Sequence, residues 1–293
     1  MRLVSFRDGQ HTRLGAVTTI DGHDVVVDLH RAAPELPVDA IAFLAGGVST
    51  RARAAEILSA PPTSAITAYD AGRLAAPIPR PGKIICIGLN YRDHVAESAQ
   101  VVPDYPTVFA KYATCIIGPR EAIVLPRDSE RVDYEGELAV VIGRYAKDVS
   151  ADEALDYVAG YTPFNDVSAR DYQQRTSQWT IGKTFDTFGP MGPALVTADD
   201  IRDPHNLTLR VTIGNEVLQE ANTRDVIFPI PKLIAYLSSV MTLEPGDVIA
   251  TGTPGGVGDA RMPPRYLRRG DVVNVDIEGV GRLENPVVAA DNQ

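Results

Sequence analysis

The stretch Asp133-Tyr134-Glu135-Gly136-Glu137-Leu138-Ala139-Val140-Val141-Ile142-Gly143 constrains this chain most. Its second half is an apolar, β-branched run that reads as a buried strand. Two carboxylates enter that strand two residues apart, and side chains at i and i+2 of a strand point to the same face. Glu135 and Glu137 are therefore set side by side at the start of a core strand. Like charges that close repel, and a buried carboxylate is costly unless it is paired or bound to a metal. A hard divalent cation held by oxygen ligands relieves both problems. A solvated strand end carrying two exposed glutamates is the alternative.

The rest of the chain must supply a core around that strand. Its 293 residues suit one large domain or two unequal ones, and 44 % are hydrophobic. Many turns follow from 24 Gly and 22 Pro, which favours β structure. The net charge of −10 argues against nucleic acid as a main partner, so an anionic substrate must be held by local positive charge. Two cysteines, Cys86 and Cys115, make neither a disulfide framework nor a zinc set. No run approaches the ~18 apolar residues of a membrane span, and Met1 to Phe6 carries no long apolar segment. The expectation is a reduced cytoplasmic protein with no membrane partner.

Residues 1–75 read as a small N-terminal α/β module. Strands are expected at Leu3–Phe6, Arg13–Thr19 and Val25–Leu29, with Asp8-Gly9 and Asp21-Gly22 as turns and helices over 40–44 and 51–58. Three prolines between Pro77 and Pro81 read as a linker. Residues 76–293 then read as the catalytic domain. Its strands are expected at 83–87, 108–110, 138–142, 207–213, 247–250 and 272–277, with a Gly214-Asn215 hairpin and helices at 151–158 and 229–240. Strands outnumber helices without alternating with them, so the class is α+β, mainly β: a β-roll or sandwich, not a doubly wound sheet.

Four further groups carry possible chemistry. In Gly88-Leu89-Asn90-Tyr91-Arg92-Asp93-His94-Val95-Ala96-Glu97, His94 and Glu97 share a face of a helical turn, and an imidazole held by a carboxylate is a good base near neutral pH. A surface histidine beside a glutamate is the plainer reading. Asp166, in Asn165-Asp166-Val167-Ser168, is either a third hard-metal ligand or an N-cap. Lys183 lies among small and apolar residues, where it either faces an anion or sits on the surface. Thr251-Gly252-Thr253-Pro254-Gly255-Gly256-Val257-Gly258 lets backbone N–H groups approach an anion, or is simply a turn. It lacks the lysine of a P-loop.

Taken together, Ile87-Gly88-Leu89-Asn90-Tyr91, His94-x-x-Glu97, Asp133-Tyr134-Glu135-Gly136-Glu137, Asn165-Asp166, Gly182-Lys183 and Gly252-Thr253-Pro254-Gly255-Gly256-Val257-Gly258 resemble the fumarylacetoacetate hydrolase family. The likeness extends over about residues 80 to 288, with Asn222–Phe228 and Leu243–Asp247 also in pattern. It implies a β-roll catalytic domain, a homodimer, and Mg²⁺ or Mn²⁺ on Glu135, Glu137 and Asp166. It implies that His94 and Glu97 activate water, that Lys183 and Thr253 contact substrate, and that the segment from His94 to Val102 is a lid. Tyr91, Arg92, Lys111, Gln173 and Gly252 complete the expected substrate-binding set.

The activity so implied is metal-dependent hydrolysis of a C–C bond in a 2,4-diketo acid of the acylpyruvate type. Water activated by His94 would attack the distal carbonyl and release a pyruvate enolate, steadied by the metal and Lys183. An oxaloacetate-type decarboxylase or 2-keto acid isomerase working through the same enolate is the alternative. A non-catalytic binding protein is a third reading, opposed by the His–Glu pair, since pure binding needs no base.

Overall fold

The computed structural model describes residues 1–290. Its largest element is an eleven-stranded sheet. In order across the sheet run Ile66–Ala68, His23–Asp28, His11–Ile20, Arg2–Asp8, Leu195–Thr197, Val158–Asn165, Gly136–Ile142, Val248–Ala250, Ile84–Gly88 and Thr107–Lys111, with Leu74–Ala75 paired to Arg2–Asp8. Neighbours are antiparallel except Val248–Ala250 beside Ile84–Gly88. A second sheet of five strands runs Glu216–Asn222, Thr208–Ile213, Val272–Ile277, Gly281–Ala289 and Ile123–Leu125. The fold is α+β and mainly β, as the excess of strands over helices predicts.

Gly136–Ile142 is the middle of the molecule, and all seven of its residues are buried. One edge pairs with Val158–Asn165 and the other with Val248–Ala250. A strand covered on both faces has no reason to alternate polar and apolar residues, which explains the unbroken Leu138–Ile142 run. The N-terminal strands join this same sheet, because Arg2 and Leu3 pair with Val196 and Leu195. Where Val158–Asn165 meets Leu195–Thr197 the backbones come so close that a Cβ on Gly160 would lie 2.1 Å from the Val196 carbonyl oxygen.

Several elements differ from the sequence reading. The proline-rich segment is no exposed linker: Ala75 to Ile78 are buried, and Ser5 Oγ donates to the Pro77 carbonyl. The chain there bends over residues 77–80 and reaches the surface only at Arg80. The helix expected over 151–158 is a short 3₁₀ turn at Ala154–Tyr157, and the chain then enters the fully buried strand Val158–Asn165. Pro163 inside that strand hid it, because proline argues against a central strand. The hairpins came through: Asp21-Gly22 joins Ile20 to His23, both turn residues having positive φ, and Gly214-Asn215 joins Ile213 to Glu216. The helix Ile230–Val240 begins beside Pro229 as expected.

Candidate active site

The carboxylates at the head of the central strand are buried. Glu135 is 4 % exposed and Glu137 1 %, which removes the solvated-strand-end reading for both, and Asp166 is 0 % exposed. One oxygen from each lies within 4.8 Å of the others. The local chain explains the grouping. Glu135 donates its N–H to Asn165 Oδ1 and its carbonyl accepts the Asp166 N–H, so Asp166 is tied beside the glutamates rather than capping a helix. Glu137 sits one step inside the strand, where the Gly252 N–H donates to its Oε2 at 2.8 Å.

Cations surround this acidic group on one side. Lys183 Nζ is 2.7 Å from Glu135 Oε2 and 2.8 Å from Asp166 Oδ2. Lys111 Nζ donates to Asp166 Oδ1 at 2.6 Å and to the Val167 carbonyl. Arg170 NH1 lies 2.6 Å from Glu135 Oε1. Glu137 has no ion pair among the described residues, only the Gly252 hydrogen bond. The protonation balance follows. Burial would raise Glu135, but Lys183 and Arg170 overcome it and hold the group below the usual carboxylate range. Burial pushes Glu137 well above that range, and the Asp166 and Glu135 charges add to the effect. Lys183 is desolvated, yet Asp166 and Glu135 raise it. Three convergent carboxylates, all oxygen donors and one of them without a counter-charge, fit a hard divalent cation such as Mg²⁺ or Mn²⁺. No His or Cys joins the set as zinc would favour.

His94 and Glu97 occupy the short helix Arg92–Glu97, which follows the strand Ile84–Gly88. Asn90 fixes its start: its side-chain amide donates to the Phe228 and Thr251 carbonyls and accepts the Phe228 N–H. His94 Nδ1 is 2.8 Å from Glu97 Oε1, and Glu97 Oε2 accepts the Gly256 N–H at 2.7 Å. The imidazole therefore has one nitrogen engaged and Nε2 left over. His94, Glu97, Glu135, Glu137, Lys183 and Thr253 all line one cavity of about 660 Å³, within the usual range for small-molecule sites. Gln173 lines it too, with its Oε1 accepting from Arg170. Trp179 and Phe109 form an aromatic wall, ring centroids 5.5 Å apart, with Lys183 Nζ 5.0 Å from the Phe109 centroid. Gly88 leaves room for the indole, since a Cβ there would stand 2.4 Å from a Trp179 ring carbon.

Four expected substrate contacts lie off the cavity. Tyr91, the extended residue that precedes the helix, is wholly buried in the core. Arg92 is exposed at the start of the helix, two residues from His94 and so on another face. Lys111 stands behind Asp166, and Gly252 serves Glu137 through its N–H. Conversely, Arg170, Asp133 and Trp179 carry weight in the site that the sequence reading did not assign. The spacing of Asp133, Glu135 and Glu137 at i, i+2 and i+4 was the available signal for Asp133.

Fold, glycine-rich loop and a buried acidic triad that could hold a metal ion together outline an enzyme site. Residues 83–288 match the family model described as fumarylacetoacetate (FAA) hydrolase C-terminal, and the chain belongs to the fumarylacetoacetate hydrolase family. It is 45 % identical to the rat protein named oxaloacetate tautomerase Fahd2a, mitochondrial, over 98 % of this chain and 92 % of that one. Among solved structures it resembles a 5-carboxymethyl-2-hydroxymuconate delta-isomerase from Mycobacterium smegmatis (36 % identity, TM-score 0.77, 99 % of this chain and 100 % of that one). It also resembles a maleylpyruvate hydrolase from Sphingobium sp. SYK-6 in complex with manganese(II) and pyruvate (33 % identity, TM-score 0.79, 99 % and 100 % covered). Among the described residues, no helix is long and apolar enough to cross a membrane.

Proposed function

We propose that this chain is a keto–enol tautomerase of a short 2-keto dicarboxylic acid of the oxaloacetate type, working with Mg²⁺ or Mn²⁺. The observation that carries this reading is the 45 % identity to the rat oxaloacetate tautomerase over nearly the whole of both chains. It takes up the isomerase alternative in preference to C–C hydrolysis, and the delta-isomerase neighbour supports the same choice.

The cavity chemistry agrees with it. Tautomerisation removes a proton from the enol oxygen and returns one to the adjacent carbon, so the substrate gains and loses nothing. It needs a group that can take and return a proton, and positive charge where the oxygen becomes anionic. His94 supplies the first: Glu97 holds Nδ1, fixes the tautomer and steadies the imidazolium, leaving Nε2 to take and return the proton. Lys183 supplies positive charge at the wall, with two of its three donors used by Glu135 and Asp166. Gln173 and the neighbouring Gln174 and Ser177 give the polar lining that a second carboxylate requires. Held by Glu135, Glu137 and Asp166, Mg²⁺ or Mn²⁺ would supply Lewis-acid polarisation of the 2-keto acid oxygens. Covalent catalysis by thiol is disfavoured, because Cys86 and Cys115 are buried and burial pushes both up, Cys115 to about 11.

Hydrolysis of an acylpyruvate is the second reading, favoured by the manganese- and pyruvate-bound hydrolase neighbour. The deciding experiment follows loss of the oxaloacetate enol absorbance and cleavage of an acylpyruvate by the same Mg²⁺- or Mn²⁺-loaded protein. Accelerated enol loss without cleavage supports the tautomerase; cleavage without it replaces the proposal. The proposal includes a symmetric homodimer in the cytoplasm, and a monomer by light scattering at micromolar concentration contradicts the dimer.

A further inference from the structure

Asp133 is a buried carboxylate that does not line the cavity, yet three segments around the site converge on it. It is 0 % exposed. Its Oδ1 accepts the N–H groups of Tyr134 at 2.9 Å and Gly258 at 2.8 Å, and its Oδ2 accepts the Asp259 N–H at 3.0 Å and Arg170 Nε at 2.9 Å. These donors come from three separate segments: the approach to the central strand, the far end of the glycine-rich loop, and the helix that carries Arg170. The near part of the same loop holds Glu97, through the Gly256 N–H, and Glu137, through the Gly252 N–H. From outside, Arg131 and the Tyr266 hydroxyl grip the Asp259 side chain.

From this we infer that Asp133 is a positioning residue for the His94–Glu97 pair, acting through residues 256–259. A carboxylate in this place can accept from all four donors. An asparagine offers a single acceptor oxygen and turns an NH₂ toward a backbone N–H or the guanidinium. The loop end then loses an anchor, the Gly256 N–H loses its fixed place, and Glu97 no longer holds the imidazole in one orientation. Asp133 touches no substrate; its effect passes through Glu97. The inference rests on the tautomerase reading only for its activity assay.

The test is a double-mutant cycle together with amide exchange, on the full-length protein saturated with Mn²⁺. Asp133→Asn is expected to lower kcat for enol loss about tenfold in the wild-type background, with KM nearly constant. With Glu97→Gln already present, the same change should cost about threefold or less, because contacts in one network are not additive. A purely structural role costs the same factor in both backgrounds, and that result overturns the inference. In parallel, peptides covering 252–259 should exchange faster in Asp133→Asn, while the strand Val272–Ile277 keeps its wild-type protection. A uniform rise, or none in the loop, also overturns it. If Asp133→Asn does not fold, Tyr266→Phe loosens the same loop end from its partly exposed side and should show the same non-additivity with Glu97→Gln at smaller size; additivity there is equally fatal. If the wild type does not tautomerise oxaloacetate, the functional proposal falls and the exchange measurement alone decides the role of Asp133.

Discussion

Replacing Glu137 by glutamine should change stability in opposite directions with and without a metal. In the metal-free protein Glu137 is the carboxylate of the cluster with no cationic partner among the described residues. Oxygens within 4.8 Å repel by about 3.5 kcal/mol per like pair at an effective dielectric constant of about 20. Lys183, shared by Glu135 and Asp166, offsets roughly one of the two repulsions on Glu137. The Gly252 hydrogen bond favours the carboxylate over a neutral acceptor by about 1.5 kcal/mol. A net penalty of about 2 kcal/mol remains, and Glu137→Gln removes it while keeping an acceptor for Gly252. At about 2 °C per kcal/mol for a chain of this size, the chelator-treated mutant should melt about 4 °C above the wild type. Because burial and the Asp166 and Glu135 charges raise this carboxyl, its folded form prefers the proton. Wild-type metal-free stability is thus fullest below the ordinary glutamate range and falls as pH rises through the elevated value. The mutant's advantage should therefore be present at pH 8 and shrink toward about pH 4. With Mn²⁺ at a thousand times its dissociation constant, the wild type gains about 4 kcal/mol and the mutant little, so the order inverts. Differential scanning fluorimetry with chelator and with Mn²⁺ reads both signs. A mutant that melts below the wild type in chelator, or that gains as much from Mn²⁺, refutes the reasoning.

Three other outcomes are expected. His94→Ala should still bind Mn²⁺ and oxalate, by calorimetry, but lose enol-to-keto turnover by about 10²-fold or more, the scale of a general acid–base group. Tyr91→Phe should leave kcat and KM unchanged and stability equal or higher by up to about 1 kcal/mol, because the buried hydroxyl has no hydrogen-bond partner among the described residues; a loss in urea melts shows a hidden one. Gly160→Ala should destabilise by about 3 kcal/mol in urea unfolding, since the clash is with backbone that cannot turn aside.

Legibility in the sequence followed locality. Glu135 and Glu137 could be placed side by side from their two-residue spacing at a strand start, although Glu135 falls one residue ahead of Gly136–Ile142, and His94 with Glu97 because three residues of helix bring side chains together. Asp166 and Lys183 were marked by charge in apolar surroundings, although which groups they faced depended on segments far away in the chain. Lys111 is the instructive miss. The resemblance puts it among the substrate contacts, whereas the fold turns its ammonium onto Asp166, off the cavity lining. Arg170 likewise gains meaning from Glu135 and Asp133, more than thirty residues away. The pairing of Arg2–Asp8 with Leu195–Thr197 leaves no trace in either segment, and the buried prolines after Ala75 mimic the composition of a linker.

The aromatic wall gives the molecule a built-in optical probe. The chain has one tryptophan, Trp179, and it stands in the cavity against Gly88 and Phe109. All indole emission therefore originates at the site, with no background from elsewhere in the chain. A paramagnetic Mn²⁺ ion arriving at Glu135, Glu137 and Asp166 should quench it, whereas diamagnetic Mg²⁺ should leave the intensity nearly unchanged. A single titration in unlabelled protein can thus separate occupancy by the two metals, and a 2-keto acid added afterwards reports its own arrival at the same fluorophore.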